Sequence, residues 1–412
     1  MTLLFFEFVI LSLVIVEYLS KKNAISPFLL LAGIYLFALP LINVIGVEID
    51  FLPVLDTTIL YFALFLFIFS LPGLLISMDR YYIKKSIVKI SKQLKLKRRI
   101  IWYIYLFSLV CYMYNLFQVV RIYGFEGTKS HAFGVFAHIG FLSRCLFPIV
   151  LYYFFETKKL KYLIAILINV VGFILFQGKY HMYITVSSFI VVFLFLRNVS
   201  VKKLIKYVVV IFLSAILLFV SVYTIIPNII AGDTSSTDMI SGLKASFRHF
   251  FHYFLCPFIT SNEYFDNPAY NGVFNGLLVN FNPLDVLYEQ FFGNRNFYSP
   301  VITLWPKVEN SGLTANVGGI FSESVLNLGF FGAVIYTIFI SSIVYYFYIK
   351  LIKNGEFLIT TSLLIGMIMM CFFCNYFSLL PNLECFVYSF LLDLFLFNDN
   401  LRYSFFKYRG LK

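Results

Sequence analysis

Few side chains in this sequence can bind an anion or transfer a proton, and they lie among long apolar runs. The stretch FQGKYHMYI places Lys179 and His181 in a turn with almost no loop. Arg144 lies near the middle of an apolar run, where a charge is unfavourable enough to mark a functional candidate. Arg248 and His252 are spaced i,i+4, so they share one side of a helix. These residues are the first candidates for a polar site.

The composition of the chain is that of a membrane protein. Of its 412 residues, 61% are hydrophobic and only 13% are charged. A soluble domain carries roughly 25% charged residues, so this chain could not cover a soluble fold with a polar surface. Apolar stretches of about 18 or more residues recur along its length, and each can cross a hydrocarbon core of about 30 Å. The sequence therefore predicts a polytopic membrane protein.

We predict an all-α fold of about eleven transmembrane helices, within a range of about ten to twelve. Helices are favoured because a lipid-exposed backbone must satisfy its own hydrogen bonds, and the alternating pattern of a membrane barrel is absent. Span 321–349 is too long for one crossing, and Gly329 and Gly332 are positions where it can split into a partial helix and a full span. The predicted spans are 3–19, 27–46, 58–77, 100–120, 134–155, 162–178, 182–196, 204–225, 321–349, 357–376 and 383–398.

The distribution of Lys and Arg predicts the orientation. One set of connections holds 24 of the 32 basic residues and is assigned to the cytoplasm by the positive-inside rule. This set consists of Lys21 and Lys22, the segment 80–99, residues 158–161 and 197–206, Lys350, Lys353 and the tail 402–412. The N-terminus is then outside and the C-terminus is cytoplasmic. The net charge of +12 is mostly this topological signal and implies no nucleic-acid partner.

The long connection 226–320 divides the chain into an N-terminal bundle of about eight helices (1–225), a large extracytoplasmic loop, and C-terminal helices with a short tail (321–412). Within the loop, DMISGLKASFRHFFHYFLCPF predicts an amphipathic helix. Its basic residues either lie among headgroups or, over a cavity mouth, present Arg248, His249 or His252 to a polar substrate. All five histidines, including His131 and His138, fall on the predicted outer side.

Other charged and sulfur-containing residues allow structural interpretations. Arg144 either serves function or pairs structurally, for instance with Glu323, while Glu17 and Asp393 lie near span ends where they can reach the interface. Five of the six cysteines fall within predicted spans, and the CxxC of Cys371 and Cys374 lacks a second pair, so no metal site is predicted. No phosphate-binding glycine loop is present, which argues against an ATP-driven pump.

The stretch TANVGGIF at 314–321, followed by LGFFG at 328–332, resembles the O-antigen polymerase and ligase superfamily, and the FQGKYHMYI turn resembles its short Gly-basic turn. The topological match spans nearly the whole chain. In ligases the Asn corresponding to Asn316 is commonly preceded by His, whereas Ala315 stands here, which favours a repeat-unit polymerase of the Wzy type. The resemblance implies a GT-C-like multi-helix glycosyltransferase in the bacterial cytoplasmic membrane, without a cofactor.

The implied donor is a glycan on polyprenyl pyrophosphate, and the acceptor is another lipid-linked repeat unit. A chain-length regulator and a flippase are further partners implied by the resemblance. Loss of pyrophosphate requires cations, for which Arg144, Lys179, Arg248 and Arg121 are candidates, with Asn316 as a further binding residue. The attacking hydroxyl benefits from a general base, for which the candidates are His249, His252, His181 and Glu323.

Two other functions fit the sequence. A flippase or transporter of lipid-linked oligosaccharide would use the same substrate and an intramembrane Arg144, but the single outsized loop and the lack of an internal repeat argue against it. A non-catalytic scaffold of an envelope assembly complex would not need the outer-side Arg, Lys and His residues. The side of the membrane on which lipid-linked repeat units accumulate without the protein distinguishes polymerase from flippase.

Overall fold

In the residues that it describes, the structure, a computed structural model, consists of helices and connecting loops with two isolated β-bridges. It describes residues 1–21, 25–124, 126–129, 134–176, 179–199, 236–266 and 304–397, together with Lys203 and Lys206. The α-helices are α1 (Thr2–Lys21), α2 (Pro27–Pro40), α3 (Asp56–Leu74), α4 (Arg80–Tyr123), α5 (Gly134–Thr157), α6 (Leu160–Leu175), α7 (Lys179–Leu196), α8 (Ser236–Asp266), α9 (Ile320–Asn354), α10 (Leu358–Met370) and α11 (Leu380–Phe397).

Seven of these helices are long and apolar enough to cross a membrane. They are α1, α2 with its π-helical extension Leu41–Gly46, α3, the Arg98–Tyr123 part of α4, α5, α9 and α11. Helices α6 and α10 and the His181–Leu196 part of α7 are apolar but shorter. Every predicted span except 204–225 coincides with one of these helices, and 204–225 lies outside the described residues. The polytopic membrane class is therefore confirmed.

One end of the bundle, called the basic end, collects cations that stabilise helix termini. The ammonium of Lys21 donates to the carbonyls of Gly73 and Ile76, just where α3 ends. From α4, Lys89 donates to the carbonyl of Asn354 at 2.8 Å, and Lys97 donates to that of Leu396. The last carbonyls of a helix lack intrahelical partners and carry partial negative charge, so these lysines satisfy and neutralise them. The first part of α4 is thereby fixed against the ends of α9 and α11.

The opposite end, called the loop end, carries the loops 47–55, 304–319 and 371–379. Loop 304–319 pairs with loop 47–55 through backbone hydrogen bonds, including Leu52 N–H to the Val308 carbonyl at 2.9 Å. Helix α8 contacts both loops, because the side-chain amide of Asn262 bonds to the backbone of Pro53 and Leu55, and the Thr260 hydroxyl donates to the Val317 carbonyl. This arrangement brings residues distant in sequence to one face of the bundle.

Helix α8 is part of the hydrophobic core in its second half. Leu255, Phe258 and Ile259 are buried, and the Phe258 ring lies 5.2 Å from that of Tyr35. Transfer of each of these side chains out of water stabilises the packed helix by about 1.5–3 kcal/mol. The helix therefore packs into the bundle through its second half and brings its first half, with Arg248 and His252, to the loop end.

Helix α9 bends at Gly329, which confirms that the long apolar segment splits at this point. Gly329 has φ +67° and ψ 172°, backbone angles that are essentially restricted to glycine. The chain therefore forms a short helix up to Leu328 and a full-length span after it. Glu323 lies in the short part.

Two carboxylates near span ends are buried, so the interpretation that they simply reach the interface is wrong. Glu17 accepts hydrogen bonds from Ser26 and, at 2.6 Å, from the Tyr345 hydroxyl. Asp393 accepts from the backbone N–H groups of Ile359 and Thr360 at 3.0 and 2.7 Å. These are free N–H groups of the first turn of α10, so Asp393 caps that helix from α11.

Candidate functional site

The first group of candidate residues, called the arginine cluster, consists of Arg144 on α5, His181 on α7 and Asn382 on α11. Arg144 is buried and donates from Nη2 to the side-chain oxygen of Asn382 at 2.7 Å. Its Nη1 contacts Nδ1 of His181. Three separate helices therefore hold one guanidinium, and both of these contacts are with groups that can be neutral.

The contact with Arg144 determines the protonation of the His181 ring. A guanidinium can only donate hydrogen bonds, so Nδ1 of His181 accepts and the proton of the neutral ring lies on Nε2. In this tautomer His181 offers a hydrogen-bond donor at Nε2. It can accept a second proton only at Nδ1, which requires the loss of the Arg144 contact, so the geometry argues against His181 as a general base.

Glu323 holds loops together. Its two carboxylate oxygens accept from the backbone N–H groups of Gly318 at 3.3 Å and of Asn375 at 2.8 Å, and its side chain is buried. The hydroxyl of Tyr336 donates to the side-chain oxygen of Asn375 at 3.0 Å. A carboxylate that already accepts two backbone hydrogen bonds is a poor general base, since protonation would weaken both.

Arg144 and Glu323 are linked through loop 371–379. The amide group of Asn382 accepts from Arg144 and donates to the Tyr376 carbonyl at 2.8 Å, while the neighbouring residue Asn375 donates its N–H to Glu323. The pairing of Arg144 with Glu323 that the sequence suggested is thus replaced by a chain of hydrogen bonds through the loop. A direct ion pair is not needed to explain why both charges are buried here.

The stretch that carries the family resemblance lies against the same loop. Ile320 donates its N–H to the Cys371 carbonyl at 2.7 Å. A Cβ on Gly319 would lie 2.8 Å from the carbonyl oxygen of Phe372, so only glycine allows the two backbones to approach this closely. Asn316, three residues earlier, is half-buried in loop 304–319. The glycines therefore have a packing reason that is independent of any catalytic role.

The second group, called the carboxylate cluster, consists of Asp50, Arg248, His252, Glu309 and Ser311. Arg248 donates to Glu309, to Asp50 at 3.1 Å and to Ser311 at 3.4 Å. Two carboxylates face one guanidinium, so the cluster has a net charge of −1 when His252 is neutral. Arg248 is half exposed, whereas Glu309 is only 1% exposed. The positive charge of Arg248 is therefore already compensated by a buried carboxylate, which weakens its case as a binding residue for an anionic ligand.

His252 and Glu309 face each other across a short gap. Nδ1 of His252 lies 3.6 Å from Oε1 of Glu309, and among the residues that the structure describes these two buried atoms have no hydrogen-bond partner. A movement of less than about 1 Å would form an Nδ1–H···Oε1 bond of ordinary length. A histidine held in this way presents Nε2 as an acceptor, which is the arrangement of an imidazole base oriented by a carboxylate.

The surroundings of His252 bias its titration in opposite directions. Burial lowers the pKa of His252, the Glu309 carboxylate raises it, and the Arg248 guanidinium lowers it. The net direction is downward, so the imidazole stays neutral, and able to accept a proton, to a lower pH than usual. Hydrogen bonding and charge attraction to Glu309 raise the pKa of Arg248, which keeps the guanidinium charged.

Aromatic rings connect the two clusters. The Tyr253 ring, next to His252, stacks on the Phe373 ring of loop 371–379 with centroids 6.4 Å apart. Phe254 packs edge-to-face on Phe372 of the same loop at 5.6 Å. The loop that binds Asn382 at one point therefore contacts α8 at another. Movement of this loop would act on both clusters.

The remaining sequence candidates are dispersed. Lys179 begins α7, and its side chain lies outside the described part of the chain. Arg121 is exposed in the last turn of α4, and His249 is half-buried with its ring 4.8 Å from that of Tyr253. His138 bonds to Glu384 at 2.6 Å, while His131 is outside the described residues.

Sequence reasoning did not single out Asn382, Asn375, Glu309 or Asp50. Each of the two asparagines interrupts a strongly apolar run, in FFCNYF and LLPNLE, and such an interruption is a usable signal for a buried hydrogen bond. Glu309 and Asp50 lie in loops about 260 residues apart, so only the fold reveals their common contact with Arg248. Within the described residues, no group of three or more His, Cys, Asp or Glu could hold a metal ion.

Comparison of the chain with protein-family models, with curated proteins and with solved structures found no match. The interpretation of the site therefore depends on its own geometry and on the sequence pattern.

Proposed function

We propose that this chain is a membrane glycosyltransferase that polymerises polyprenyl-pyrophosphate-linked oligosaccharide repeat units into O-antigen, capsular polysaccharide or exopolysaccharide. The observation that carries the proposal is the presence, at one end of the bundle, of a buried guanidinium and of an imidazole facing a buried carboxylate. Departure of a pyrophosphate and activation of a hydroxyl require these two kinds of group. The positive-inside pattern assigns this end to the outer face.

In the proposed reaction, a hydroxyl of the acceptor sugar attacks the anomeric carbon of the donor. The bond between that carbon and the pyrophosphate oxygen breaks, and polyprenyl pyrophosphate leaves with the bonding electron pair. Arg144 would bind the phosphate oxygens through its planar fork, which suits two-point binding better than a lysine does. A phosphate oxygen is a stronger acceptor than the Nδ1 of His181 and would take its place on Nη1.

His252 is the preferred base among the four candidates. His181 and Glu323 have their accepting atoms engaged by Arg144 and by two backbone N–H groups. His252 instead faces Glu309, which would hold the ring and stabilise the imidazolium after it takes the hydroxyl proton. Arg248 then orients Glu309 through its hydrogen bond, so its proposed role shifts from binding pyrophosphate to supporting the base.

The finer architecture belongs to the same proposal. It comprises about eleven spans, a GT-C-like arrangement, a location in a bacterial cytoplasmic membrane and an outer N-terminus. The seven apolar helices of membrane-crossing length among the described residues support the membrane class of this proposal. Lys179, Arg121, His249 and Asn316 remain proposed contacts of the long glycan substrate, which is far larger than either cluster.

A deletion strain of the source organism tests the function. We expect single repeat units on polyprenyl pyrophosphate to accumulate at the outer face, and polymer to disappear, since transport would continue without polymerisation. Expression of the wild-type chain should restore polymer, whereas the His252→Ala chain, expressed at the same level, should not. Accumulation of the repeat unit at the inner face would contradict the proposal and support a flippase.

A further inference from the structure

The first part of α4, residues 80–99, has a face that the function described above does not use. Its buried stripe includes Ile83, Ile90 and Leu94, and Lys97 on this side donates to the Leu396 carbonyl. With about 3.6 residues per turn, the opposite third of the helix presents a different set of side chains. They are Tyr81, Lys84, Lys85, Val88, Lys92, Lys95, Leu96 and Arg99, all of them exposed.

This exposed face, called the α4 face, combines cations with large apolar residues. Val88 is 68% exposed and Leu96 is 73% exposed, and both lie between lysines. No Asp or Glu occurs between residues 80 and 99, so no carboxylate of the segment neutralises these cations. Water alone would favour neither the exposed valine nor the concentrated positive charge. A surface with phosphates above acyl chains would favour both.

The position of the segment supplies a second argument. Lys89 and Lys97 hold it against the ends of α9 and α11, so its outer face has a fixed direction. At the same end of the bundle, Lys161 lies 5.1 Å from the centroid of the Trp102 ring, and Lys158 lies 5.0 Å from that of Phe155. Cations beside aromatic rings at helix ends are typical of the headgroup region of a bilayer.

We propose that the α4 face binds the headgroups of anionic phospholipids in the leaflet at the basic end. Lys84, Lys85, Lys92, Lys95 and Arg99 contact phosphates, while Val88 and Leu96 enter the boundary between headgroups and acyl chains. Each cation near an anionic surface strengthens binding by roughly fivefold, and the effect falls off within a Debye length. The surface is separate from both clusters at the loop end and does not depend on the proposed catalytic function.

The test uses the full chain in neutral detergent micelles, titrated with phosphatidylglycerol that carries a dansyl group on its headgroup. The chain has two tryptophans, so Trp305→Phe leaves Trp102, three residues after Arg99, as the only tryptophan that can transfer energy. We expect saturable energy transfer at a lower lipid fraction than with labelled phosphatidylcholine. Replacement of Lys84, Lys85, Lys92 and Lys95 by Gln should reduce the preference for phosphatidylglycerol over phosphatidylcholine at least tenfold.

A control variant replaces four other exposed lysines outside the α4 face, namely Lys159, Lys203, Lys206 and Lys353, by Gln. Its net charge changes equally, and it should keep the preference within about twofold. A second variant, Val88→Gln with Leu96→Gln, keeps every cation and should bind more weakly. An equal loss of the phosphatidylglycerol preference in the control variant would overturn the proposal. Full displacement of the labelled lipid by an equal concentration of soluble glycerol phosphate would also overturn it.

Discussion

Arg144 and Asn382, which are 238 residues apart in the chain, form a 2.7 Å hydrogen bond between two helices, and both side chains are buried. Asn382 also donates to the Tyr376 carbonyl at 2.8 Å, so the guanidinium is positioned by loop 371–379 as well as by its own helix. Neither Asn382 nor a neutral His181 cancels the positive field of Arg144, whereas Glu309 and Asp50 oppose that of Arg248.

Substitution of Arg144 tests whether this field serves the reaction. Arg144→Ala should lower the polymerisation rate by about 100- to 1,000-fold, the usual effect of removing one electrostatic stabiliser of a transition state. Arg144→Lys keeps the charge but loses the fork, so it should fall between Ala and wild type. Polymer length and membrane abundance are measured side by side, with Lys307→Ala as a control for an exposed cation at the same end.

A purely structural role for Arg144 has a different result. Arg144→Ala would then be poorly expressed, because it leaves the buried oxygen of Asn382 without its donor. The double variant Arg144→Leu with Asn382→Leu should in that case restore part of the abundance, because the Tyr376 carbonyl still loses its donor. An abundant, fully active Arg144→Ala protein would contradict both roles.

The pairing of His252 with Glu309 predicts a pH effect of known sign. A base works when neutral, so the rate should rise with pH through the His252 pKa and then level off. Glu309 raises this pKa, so Glu309→Gln should shift the acid limb of the pH–rate profile to lower pH. Arg248 lowers it, so Arg248→Gln should shift the limb to higher pH, although Asp50 remains nearby. Shifts in the same direction for both variants would exclude His252 as the titrating group.

His252→Ala should reduce the rate by about 100- to 10,000-fold on the plateau above the His252 pKa, because general acid–base catalysis contributes by this factor. The difference from wild type should shrink below that pKa, where the imidazole is protonated. His249→Ala is the comparison on the same helix, since its ring packs on Tyr253 and has a weaker case as the base. A larger loss in His249→Ala than in His252→Ala, at equal abundance, would exchange the two roles.

The bend of α9 predicts a specific loss of stability. Alanine at position 329 would have to adopt φ +67°, ψ 172°, which costs about 1–3 kcal/mol, so Gly329→Ala should lower the melting temperature of the purified protein. Gly33→Ala is the matched control, because Gly33 is in α2 with no atom within 4 Å of an added Cβ. The control should be neutral or slightly stabilising. An unchanged melting temperature for Gly329→Ala would argue against the bend.

Cysteine labelling tests the orientation. In a background without the six native cysteines, Leu313→Cys at the loop end should react with an impermeant reagent in intact cells. Lys353→Cys, exposed at the basic end, should react only after the cells are opened. The reverse pattern would place the two clusters in the cytoplasm and remove the proposed outer-face reaction.

The sequence by itself determined the membrane class, the approximate positions of the apolar helices that the structure describes and the split of α9 near Gly329, because apolar runs and glycines act locally through hydropathy and backbone angles. The i,i+4 spacing also predicted that Arg248 and His252 share a helix face, and in the structure both side chains lie near Glu309. Only the tertiary structure decided which partner each buried charge has. Arg144 contacts Asn382 and His181, Glu323 contacts two backbone N–H groups, and Asp393 caps a neighbouring helix. A charge in an apolar run must be compensated, but many polar groups can do so. The packing of helices distant in sequence selects among them, and that selection has no local signature.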